Sequence, residues 1–427
     1  MKKYIYIITF VLLGMNLNAQ SVWNGKREAI RKGSGTETDP HLIENAQNFA
    51  WLCYLINHDY TEWTEGKYFL LTTNIDLNGN EDNQWIPILA GIHHDGKLNI
   101  NIDGGGHKIS GLYIDNSSEI KDENAVWYST SASLFTDLSS SCVKNLYVEG
   151  YIHINDIKCA GIAGSASGNI ENCKTDVDIE TNSDAAGFVT HPKNGSNIIN
   201  CNNVGNIKGD FVGGIVSNGQ AKIESCYNTG NIEGGEYIGG LAGVIIGNGN
   251  YIRNSYNIGQ IIASESTKDL GGIIGTSTAK IVNNCHYLNT CIENSNDNGE
   301  AQTSDFMRSQ DFVDQLNKGT DVWCFDDDNI NDGYPILSTN KNLSLEQMLS
   351  DDNTIVIFPN PATDYINIEG AIASYKIYGI TGNLVMSNEK KYNNNVNISV
   401  SDFTSGIYFV RCVMQNGNII TKKIIIK

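Results

Sequence analysis

Asp103 and His107 are the residues of this 427-residue sequence whose types and spacing best suit acid–base chemistry. They bracket the segment Asp103-Gly104-Gly105-Gly106-His107, and a carboxylate close to an imidazole can exchange protons with a polysaccharide. The three glycines equally suit a turn at which the histidine packs or forms a hydrogen bond. The motifs HExxH, GxSxG and GxGxxG do not occur. We therefore expect no enzymatic activity, with Asp103 and His107 as candidates for the alternative.

Asp326, Asp328 and Asp332 are the candidate metal ligands. They lie in the acidic segment 326–333, and carboxylate oxygens are ligands that Ca²⁺ prefers. Ile330 interrupts the ligand order that an EF-hand loop requires. A solvated turn would have the same composition. We therefore expect no cofactor, with Ca²⁺ as the one candidate that the sequence leaves open.

The elements that would position such residues are predicted by an internal repeat. An apolar β-branched residue recurs every 25–30 residues, at Val143, Ile170, Ile198, Ile223, Ile252 and Val282. Short β-branched runs alternate with Asn and Gly, and no unit has the apolar stripe of an amphipathic helix. A period of this length predicts a solenoid, and the strand-like runs predict a parallel β-helix with one unit per coil.

Equivalent positions of successive coils lie about 4.8 Å apart, so like residues would stack in ladders. One ladder contains Leu146, Cys173, Cys201, Cys226, Ser255 and Cys285. Parallel Cβ atoms at about this separation exceed the disulfide optimum of roughly 3.5–4.5 Å, so we expect reduced, buried cysteines. A second ladder, of Asn203, Asn228 and Asn257, would form hydrogen bonds along the stack.

Tyr227 and Tyr256 share one repeat position and are the candidate ligand-binding residues. Surface aromatic rings can stack on sugars, and Tyr113 and Tyr151 are further candidates for this role. The alternative for Tyr227 and Tyr256 is packing in the core or along an edge of the coils.

The repeat units resemble a known family. The segments VGGIVS, IESCYNTGNI and IGGLAG resemble the GLUG repeats of bacterial surface proteins, over about residues 130–290. With flanking segments that resemble the first coils and the closing segment of such proteins, the match extends to about residues 33–337. GLUG repeats occur in adhesin-like proteins and as accessory parts of a peptidase family. The resemblance therefore implies an architecture rather than an activity.

The ends of a solenoid expose strand edges and must be capped. Asn45–Asn57 has the apolar spacing of a short helix and is the predicted N-terminal cap. Asp305–Leu316 has the pattern of an amphipathic helix at the other end, where Trp323 and Tyr334 would seal the base. The predicted divisions are residues 20–130 for the cap and first coils, 131–337 for the repeats and second cap, and 338–353 for a linker.

The pattern changes in residues 354–427, where apolar and polar residues alternate over short runs such as Tyr365–Ile368 and Tyr375–Tyr378. Gly382-Asn383 and Asn416-Gly417 predict hairpin turns. About seven short strands in this length predict a small antiparallel β-sandwich.

Separated motifs of this module resemble the type A C-terminal sorting domain of type IX secretion substrates. The matching residues are Phe358, Pro359, Asn360, Pro361, Gly382, Gly406, Tyr408, Lys422 and Lys423. The resemblance implies a protein of the Bacteroidota that is recognised by the type IX machinery and its sortase-like processing enzyme. In that family the domain is usually cleaved and often exchanged for a lipopolysaccharide anchor. The alternative is a plain immunoglobulin-like binding module.

Residues 1–19 have the pattern of a secretory signal peptide, with Lys2 and Lys3 before the apolar run Ile5–Leu13 and with Ala19 at the expected cleavage site. The run is too short to span a bilayer, so we expect no transmembrane segment. The net charge of −19 disfavours nucleic acid as a partner. We expect a secreted protein or one on the outer cell surface.

These observations predict an all-β protein, with a parallel β-helix and short capping helices followed by a small antiparallel β-sandwich. A solenoid offers a broad lateral surface for binding. We therefore expect adhesion, or binding of a glycan or of a host or matrix protein. The alternative is a carbohydrate-active enzyme, a polysaccharide lyase or glycoside hydrolase, that uses Asp103 and His107.

Overall fold

A computed structural model describes residues 20–427 except 59, 89–98, 116–130, 279–280, 297, 340–354, 371, 380–383, 389–394 and 415–418. The described residues form two compact units, Gln20–Leu349 and a second that includes the chain from Ser350 to Lys427. Each unit has its own hydrophobic core. The predicted signal peptide, residues 1–19, lies outside the described residues.

The first unit is a parallel β-solenoid of about eight turns. Its first coils contain β1 (Ser21–Val22), β2 (His41–Ile43), β3 (Tyr68–Leu71), β4 (Ile75–Asp76), β5 (Asn101–Asp103) and β6 (Lys108–Asp115). The repeats contain β7 (Phe135–Leu138), β8 (Cys142–Lys144), β9 (Tyr147–His153), β10 (Cys159–Ala160), β11 (Ala163–Ala166), β12 (Asn169–Glu171), β13 (Lys174–Glu180), β14 (Ala185–Ala186), β15 (Val189–Pro192), β16 (Ser196–Ile199), β17 (Asn202–Asn203), β18 (Ile207–Gly213), β19 (Val216–Gly219), β20 (Ala221–Glu224), β21 (Tyr227–Asn228), β22 (Ile232–Gly239), β23 (Ala242–Ile245), β24 (Tyr251–Asn257), β25 (Ile261–Ala263), β26 (Asp269–Gly271), β27 (Ile274–Ser277), β28 (Val282–Leu288) and β29 (Glu300–Gln302). A short antiparallel pair follows, β30 (Trp323–Cys324) and β31 (Ile336–Leu337).

The predicted ladder of β-branched residues lines the interior of the solenoid. Ile198 pairs with Ile223, and Ile223 with Ile252, in parallel register. The ladder extends past the predicted repeats to Ile102 and Phe69 in the first coils. These side chains are at most 1% exposed and belong to one continuous core. The predicted parallel β-helix is confirmed.

Two ladders of asparagine link the coils. The predicted one is buried, and the Asn203 and Asn228 side-chain amides each donate to the next asparagine of the stack at 2.8 Å. The other was not predicted and lies at a corner where φ is between 50° and 54°. Its members are Asn145, Asn172, Asn200, Ser225, Asn254 and Asn284. Asparagine tolerates this left-handed conformation better than most residues, because its short side chain can form local hydrogen bonds.

The cysteine ladder agrees with the prediction, since all ten cysteines are free. The Cys226 backbone N–H donates to the hydroxyl of Ser255, which occupies the same ladder position, at 3.0 Å. Burial raises the pKa of the Cys285 thiol to about 12, which suppresses its reactive thiolate form. The position therefore serves packing.

The N-terminal cap consists of α1 (Ala46–Asn57), followed by α2 (Thr61–Thr64). The Asn45 side chain accepts the Asn48 N–H at 2.8 Å and so starts α1 where the sequence predicts. Phe49 and Leu52 are fully buried in the same core as the coils. The helix therefore covers apolar residues of the first coils, as predicted.

The C-terminal cap differs from the prediction. Asp305–Leu316 forms two helices, α3 (Ser304–Met307) and α4 (Gln310–Leu316), because the Ser309 hydroxyl accepts the Phe312 N–H and starts a second helix. These helices pack in a separate cluster that includes Tyr227, Tyr256, Trp323 and Tyr334. The two tyrosines are outward-facing residues of β21 and β24, so the cap covers a lateral face of the coils. Trp323 and Tyr334 therefore cover this face instead of sealing the base.

The second unit is an antiparallel sandwich, as predicted. Its described strands are β32 (Val356–Phe358), β33 (Tyr365–Glu369), β34 (Ile372–Gly379), β35 (Leu384–Asn388), β36 (Asn395–Ser399), β37 (Gly406–Met414) and β38 (Ile419–Ile426). They form a three-stranded sheet, β32–β33–β36, and a four-stranded sheet, β35–β34–β37–β38. The predicted turns at Gly382-Asn383 and Asn416-Gly417 lie outside the described residues.

Candidate functional site

Two outward-facing ladders of the solenoid meet at a bend of each coil, which we call the inner corner. One ladder contains Lys158, Asp184, Phe211 and Tyr237, each of which directly precedes a paired apolar residue of β10, β14, β18 or β22. The other contains Asp137, Ser165 and His191, which pair across β7, β11 and β15. Side chains from the two ladders meet across the bend.

Small residues allow the strands to approach at the inner corner. Val216 points into the core, so Ser217 points outward, yet Ser217 is fully buried because β18 faces it. The Ser217 hydroxyl donates to the Phe211 carbonyl oxygen at 2.7 Å. A Cβ atom at the equivalent Gly275 would lie only 2.8 Å from the Ile238 nitrogen. Each repeat unit contains an apolar triplet such as Gly214-Ile215-Val216, and this close approach explains the small residue that follows it.

Lys158, Asp184 and His191 form the titratable centre of the inner corner. Lys158 Nζ donates to His191 Nε2 at 3.0 Å, so this ring nitrogen acts as an acceptor. The other ring nitrogen, Nδ1, lies 3.5 Å from Asp184 Oδ2. Burial and the Lys158 charge both lower the pKa of His191, while burial raises the pKa of Asp184 against the opposing effect of Lys158. The arrangement favours a neutral imidazole that can accept a proton or a hydrogen bond.

Asp137 organises the adjacent part of the same ladder. Its Oδ2 accepts hydrogen bonds from the Ser165 hydroxyl at 2.7 Å and from Lys193 Nζ at 2.6 Å. The Asp137 side chain is 16% exposed, whereas that of Lys193 is 51% exposed. This part of the inner corner is therefore a fixed polar surface with one accessible cation.

Phe211 and Tyr237 add aromatic surface to the inner corner. Their ring centroids are 5.0 Å apart, and both rings are half-buried. Lys268 Nζ lies 5.7 Å from the Tyr237 ring centroid and forms an ion pair with Glu236 at 2.7 Å. Tyr113 and Tyr151, predicted as surface aromatics, form another half-buried stack at 5.6 Å. Aromatic faces bordered by polar groups can bind the apolar faces and hydroxyls of sugars.

The predicted pair Asp103 and His107 lies at a turn of the first coils. Asp103 Oδ1 accepts hydrogen bonds from the Gly105 N–H and from the Asn145 side-chain amide, both at 2.9 Å. Asp103 Oδ2 lies 3.3 Å from Lys144 Nζ, and the His107 N–H donates to the Gly104 oxygen at 2.8 Å. Asp103 thus links the turn to the adjacent coil, and its catalytic role stays a prediction.

The predicted calcium ligands belong to a turn that Asp326 organises. Its Oδ1 accepts the Ile330 N–H at 2.8 Å, and its Oδ2 accepts the Gly333 N–H at 2.9 Å. Asp328 and Asp332 are exposed. Among the residues that the structure describes, no group of three or more His, Cys, Asp or Glu is arranged to hold a metal ion. Calcium binding stays a prediction.

Tyr227 and Tyr256 stack as predicted, with ring centroids 5.1 Å apart, but the C-terminal cap covers them. They are only 3% and 0% exposed. The Tyr256 hydroxyl accepts a hydrogen bond from the Asn331 side-chain amide at 2.7 Å. The packing alternative is therefore correct, and these rings offer no surface to a sugar.

His191 and Lys158 were not predicted as site residues, although the repeat contains a signal for them. Ser165 and His191 each lie two residues after an apolar triplet, and Lys158 and Asp184 each precede a buried residue. Because alternate residues of a strand face opposite sides, these positions must face outward. The residue types at these positions differ from coil to coil. A repeat that is recognised by like residues at equivalent positions therefore does not reveal them.

Some of the residues predicted for sorting lie in the segment that follows β32, and this segment is hydrogen-bonded to β38. Phe358-Pro359-Asn360-Pro361 begins at the last residue of β32, and Asn360 Oδ1 accepts the Ile425 N–H at 2.8 Å. Ala362 and Lys427 are joined by a backbone hydrogen bond of 2.8 Å.

The remaining sorting residues lie on or beside the four-stranded sheet. Gly406 begins β37, and the buried Tyr408 donates its hydroxyl proton to the Thr404 oxygen at 2.8 Å. Lys422 is exposed on β38, where Lys423 pairs with Phe409. Gly382 lies outside the described residues.

Residues 356–427 match the family model described as "Secretion system C-terminal sorting domain". This segment carries the type IX sorting domain. The protein is therefore secreted or displayed on the outer cell surface, and the sorting domain interacts with the secretion machinery. In the described part of the chain, no helix has the length and hydropathy needed to cross a membrane.

One similar solved structure is described as "IgA1 Protease". The match has 20% sequence identity and a TM-score of 0.41, and it covers 60% of this chain. It covers only 20% of the other chain, so this chain corresponds to about a fifth of that protein. No curated protein matches the sequence.

Proposed function

We propose that this protein is an adhesin-like, GLUG-repeat protein of the Bacteroidota that binds a glycan or protein ligand outside the cell. A signal peptide in residues 1–19 would direct Sec-dependent export across the inner membrane, and the sorting domain would direct passage across the outer membrane. The processing enzyme of the secretion system would then remove the sorting domain and allow surface attachment. The adhesive role rests on one observation, the inner corner of a solenoid that is delivered to the cell exterior.

The chemistry of the inner corner supports a glycan as the first ligand to test. Tyr237 and Phe211 offer half-buried aromatic faces, and Lys158, Asp184 and His191 offer donors and acceptors for hydroxyl groups. The ladders hold these groups on paired strands, so little conformational entropy is lost when a ligand binds. A protein ligand would use the same aromatic and cationic side chains as anchors.

The test is binding of the purified full-length chain to a panel of glycans and extracellular matrix proteins. Tyr237→Ala removes an aromatic face and Lys158→Ala removes a donor, so each should weaken binding by about tenfold. Tyr60→Ala is the matched control, because Tyr60 is 39% exposed and lies between α1 and α2 of the N-terminal cap. An equal loss in Tyr60→Ala, or no ligand on the panel, would contradict the proposal.

A carbohydrate-active enzyme is the second candidate function, and the cluster of Lys158, Asp184 and His191 is the observation that favours it. A neutral imidazole near a cation and a carboxylate can serve as a general base. Incubation with each glycan, followed by chromatography of the products, separates the two functions. Products that disappear in His191→Gln and persist in Tyr60→Ala support the enzyme, whereas binding without products supports adhesion. Asp103→Ala tests the site that the sequence predicts.

A further inference from the structure

The outer face of the four-stranded sheet in the sorting domain is unusually apolar for a surface. Ile407, Phe409, Ile425, Leu384 and Val385 are between 37% and 54% exposed. Their neighbours on the same strands point inward and are buried, as Val410 and Ile424 show at 0% exposure. Large exposed apolar side chains that lie together commonly mark an interaction surface.

The register of the strands makes these residues neighbours. Ile407 pairs with Ile425, and Phe409 pairs with Tyr378 of the adjacent strand. Tyr378 in turn pairs with Leu384. Paired residues on one face of a sheet lie about 5 Å apart, so the side chains form one continuous patch across four strands.

The opposite outer face of the same sandwich has a different chemistry. On the three-stranded sheet, Asn367 pairs with Asn397, and their side chains share a hydrogen bond of 2.8 Å. Ser399 continues this face and is exposed, and Tyr365 and Phe358 are its large exposed hydrophobic residues among those described. The two faces belong to one small domain, so solubility alone does not account for the apolar one.

Basic residues border the apolar patch. Lys376 pairs with Arg411 next to the row that contains Tyr378 and Phe409. Residues 356–427 contain seven Lys and Arg against four Asp and Glu, although the whole chain has 29 against 48. A partner suited to this face would therefore present an apolar surface with carboxylates at its margin.

We propose that the outer face of the four-stranded sheet is the surface through which the sorting domain binds a protein component of the secretion machinery. The sorting domain interacts with that machinery. Among the described residues this face has five large exposed hydrophobic side chains against two on the other face, and Lys376 and Arg411 border it. Binding would bury Ile407, Phe409 and Ile425, and Arg411 would pair with acidic residues of the partner.

The test compares export of full-length variants in the cell that secretes this protein. Ile407→Asp and Phe409→Asp place a charge in the apolar patch, and each should reduce the extracellular amount by about tenfold, with the protein retained inside the outer membrane. Asn397→Asp and Ser399→Asp place the same charge on the polar face and should export normally. Arg411→Glu should give a smaller loss of about threefold, because border charges affect association more than final affinity.

Folding and self-association are measured on the same purified chains. Phe409→Leu keeps an apolar side chain and should export normally, and unchanged unfolding of the purified Phe409→Asp chain would exclude a folding defect. Normal export of Ile407→Asp and Phe409→Asp would overturn the proposal, and so would an equal loss in the Ser399→Asp control. If the variants differ from the wild-type chain in self-association, measured by sedimentation, but not in export, the face is a contact between copies and the proposal fails.

Discussion

The solenoid and the sandwich stabilise their strands in opposite ways. In the solenoid parallel pairing places the same repeat position of successive coils in one stack, as Ile198, Ile223 and Ile252 show. In the sandwich antiparallel pairing joins residues that have no such equivalence, as Val410 with Lys422. Buried asparagines can therefore form hydrogen bonds to one another in successive coils, whereas the sandwich has a mainly aliphatic core. The solenoid is therefore stabilised by stacked residues of both apolar and polar type, whereas the sandwich is stabilised mainly by burial of one face of each sheet.

The buried asparagine ladder offers the strongest test of this difference. Asn228 bonds to the Gly230 oxygen, to Asn257 and to Asn203, each at 2.8 Å. Asn228→Ala should reduce the free energy of unfolding by about 4 kcal/mol, because several buried polar groups lose partners worth roughly 1–3 kcal/mol each. Urea denaturation of the solenoid measures the loss. The exposed Asn206→Ala should cost about 1 kcal/mol or less, and equal losses would show that the buried ladder has no special role.

The sandwich is tested by two adjacent isoleucines that face opposite sides of β38. Ile424 is fully buried, and Ile425 is 37% exposed. Ile424→Ala should cost about 3 kcal/mol through lost burial and a cavity, whereas Ile425→Ala should change stability by less than about 0.5 kcal/mol. Thermal unfolding followed by circular dichroism measures both. A large loss in Ile425→Ala would mean that the outer face is already covered within the isolated protein.

The C-terminal cap predicts a pH effect that belongs to the solenoid alone. Burial beneath α4 lowers the pKa of His286 to about 4, with Glu300 opposing and Lys318 reinforcing the shift. Because the unfolded chain binds this proton near pH 6.5, stability is complete above that pH and falls as the pH drops towards 4. The loss should reach about 2 kcal/mol at pH 5.

Urea midpoints at pH 7 and about pH 5 measure the effect. His286→Gln stays neutral at both pH values, so the difference between wild type and variant isolates this residue from the titrating carboxylates. Identical pH dependence in the two chains would show that the cap does not hold the imidazole in its neutral form.

The period of the solenoid was predictable because its inward residues repeat in type. Ile198, Asn228 and Cys226 each have like residues one unit away, and their stacking followed directly. The corner asparagines also repeat, just before the cysteine ladder, but their left-handed backbone was not inferred from their position. The recurrence of these asparagines is visible in the sequence, but the position of the turn in each coil is needed to identify them as corner residues.

The inner corner and the final position of the C-terminal cap could not be predicted in the same way. Lys158 and His191 meet because two strands bend sharply towards each other, and residue types alone do not give that angle. The helical pattern near α4 was visible, but its docking partner, the tyrosine stack, lies about two units earlier in the chain. In the sandwich, the alternation of apolar and polar residues predicted the strands. The pairing of the strands was needed to show which face of each sheet is exposed to solvent.

The corner residues from Asn145 to Asn284 give successive coils nearly the same φ angle, since the values differ by only a few degrees. One coil can thus be removed or duplicated while the joints on either side still fit, because each coil contacts only its neighbours. The length of the solenoid can in this way be adjusted in whole increments of one coil.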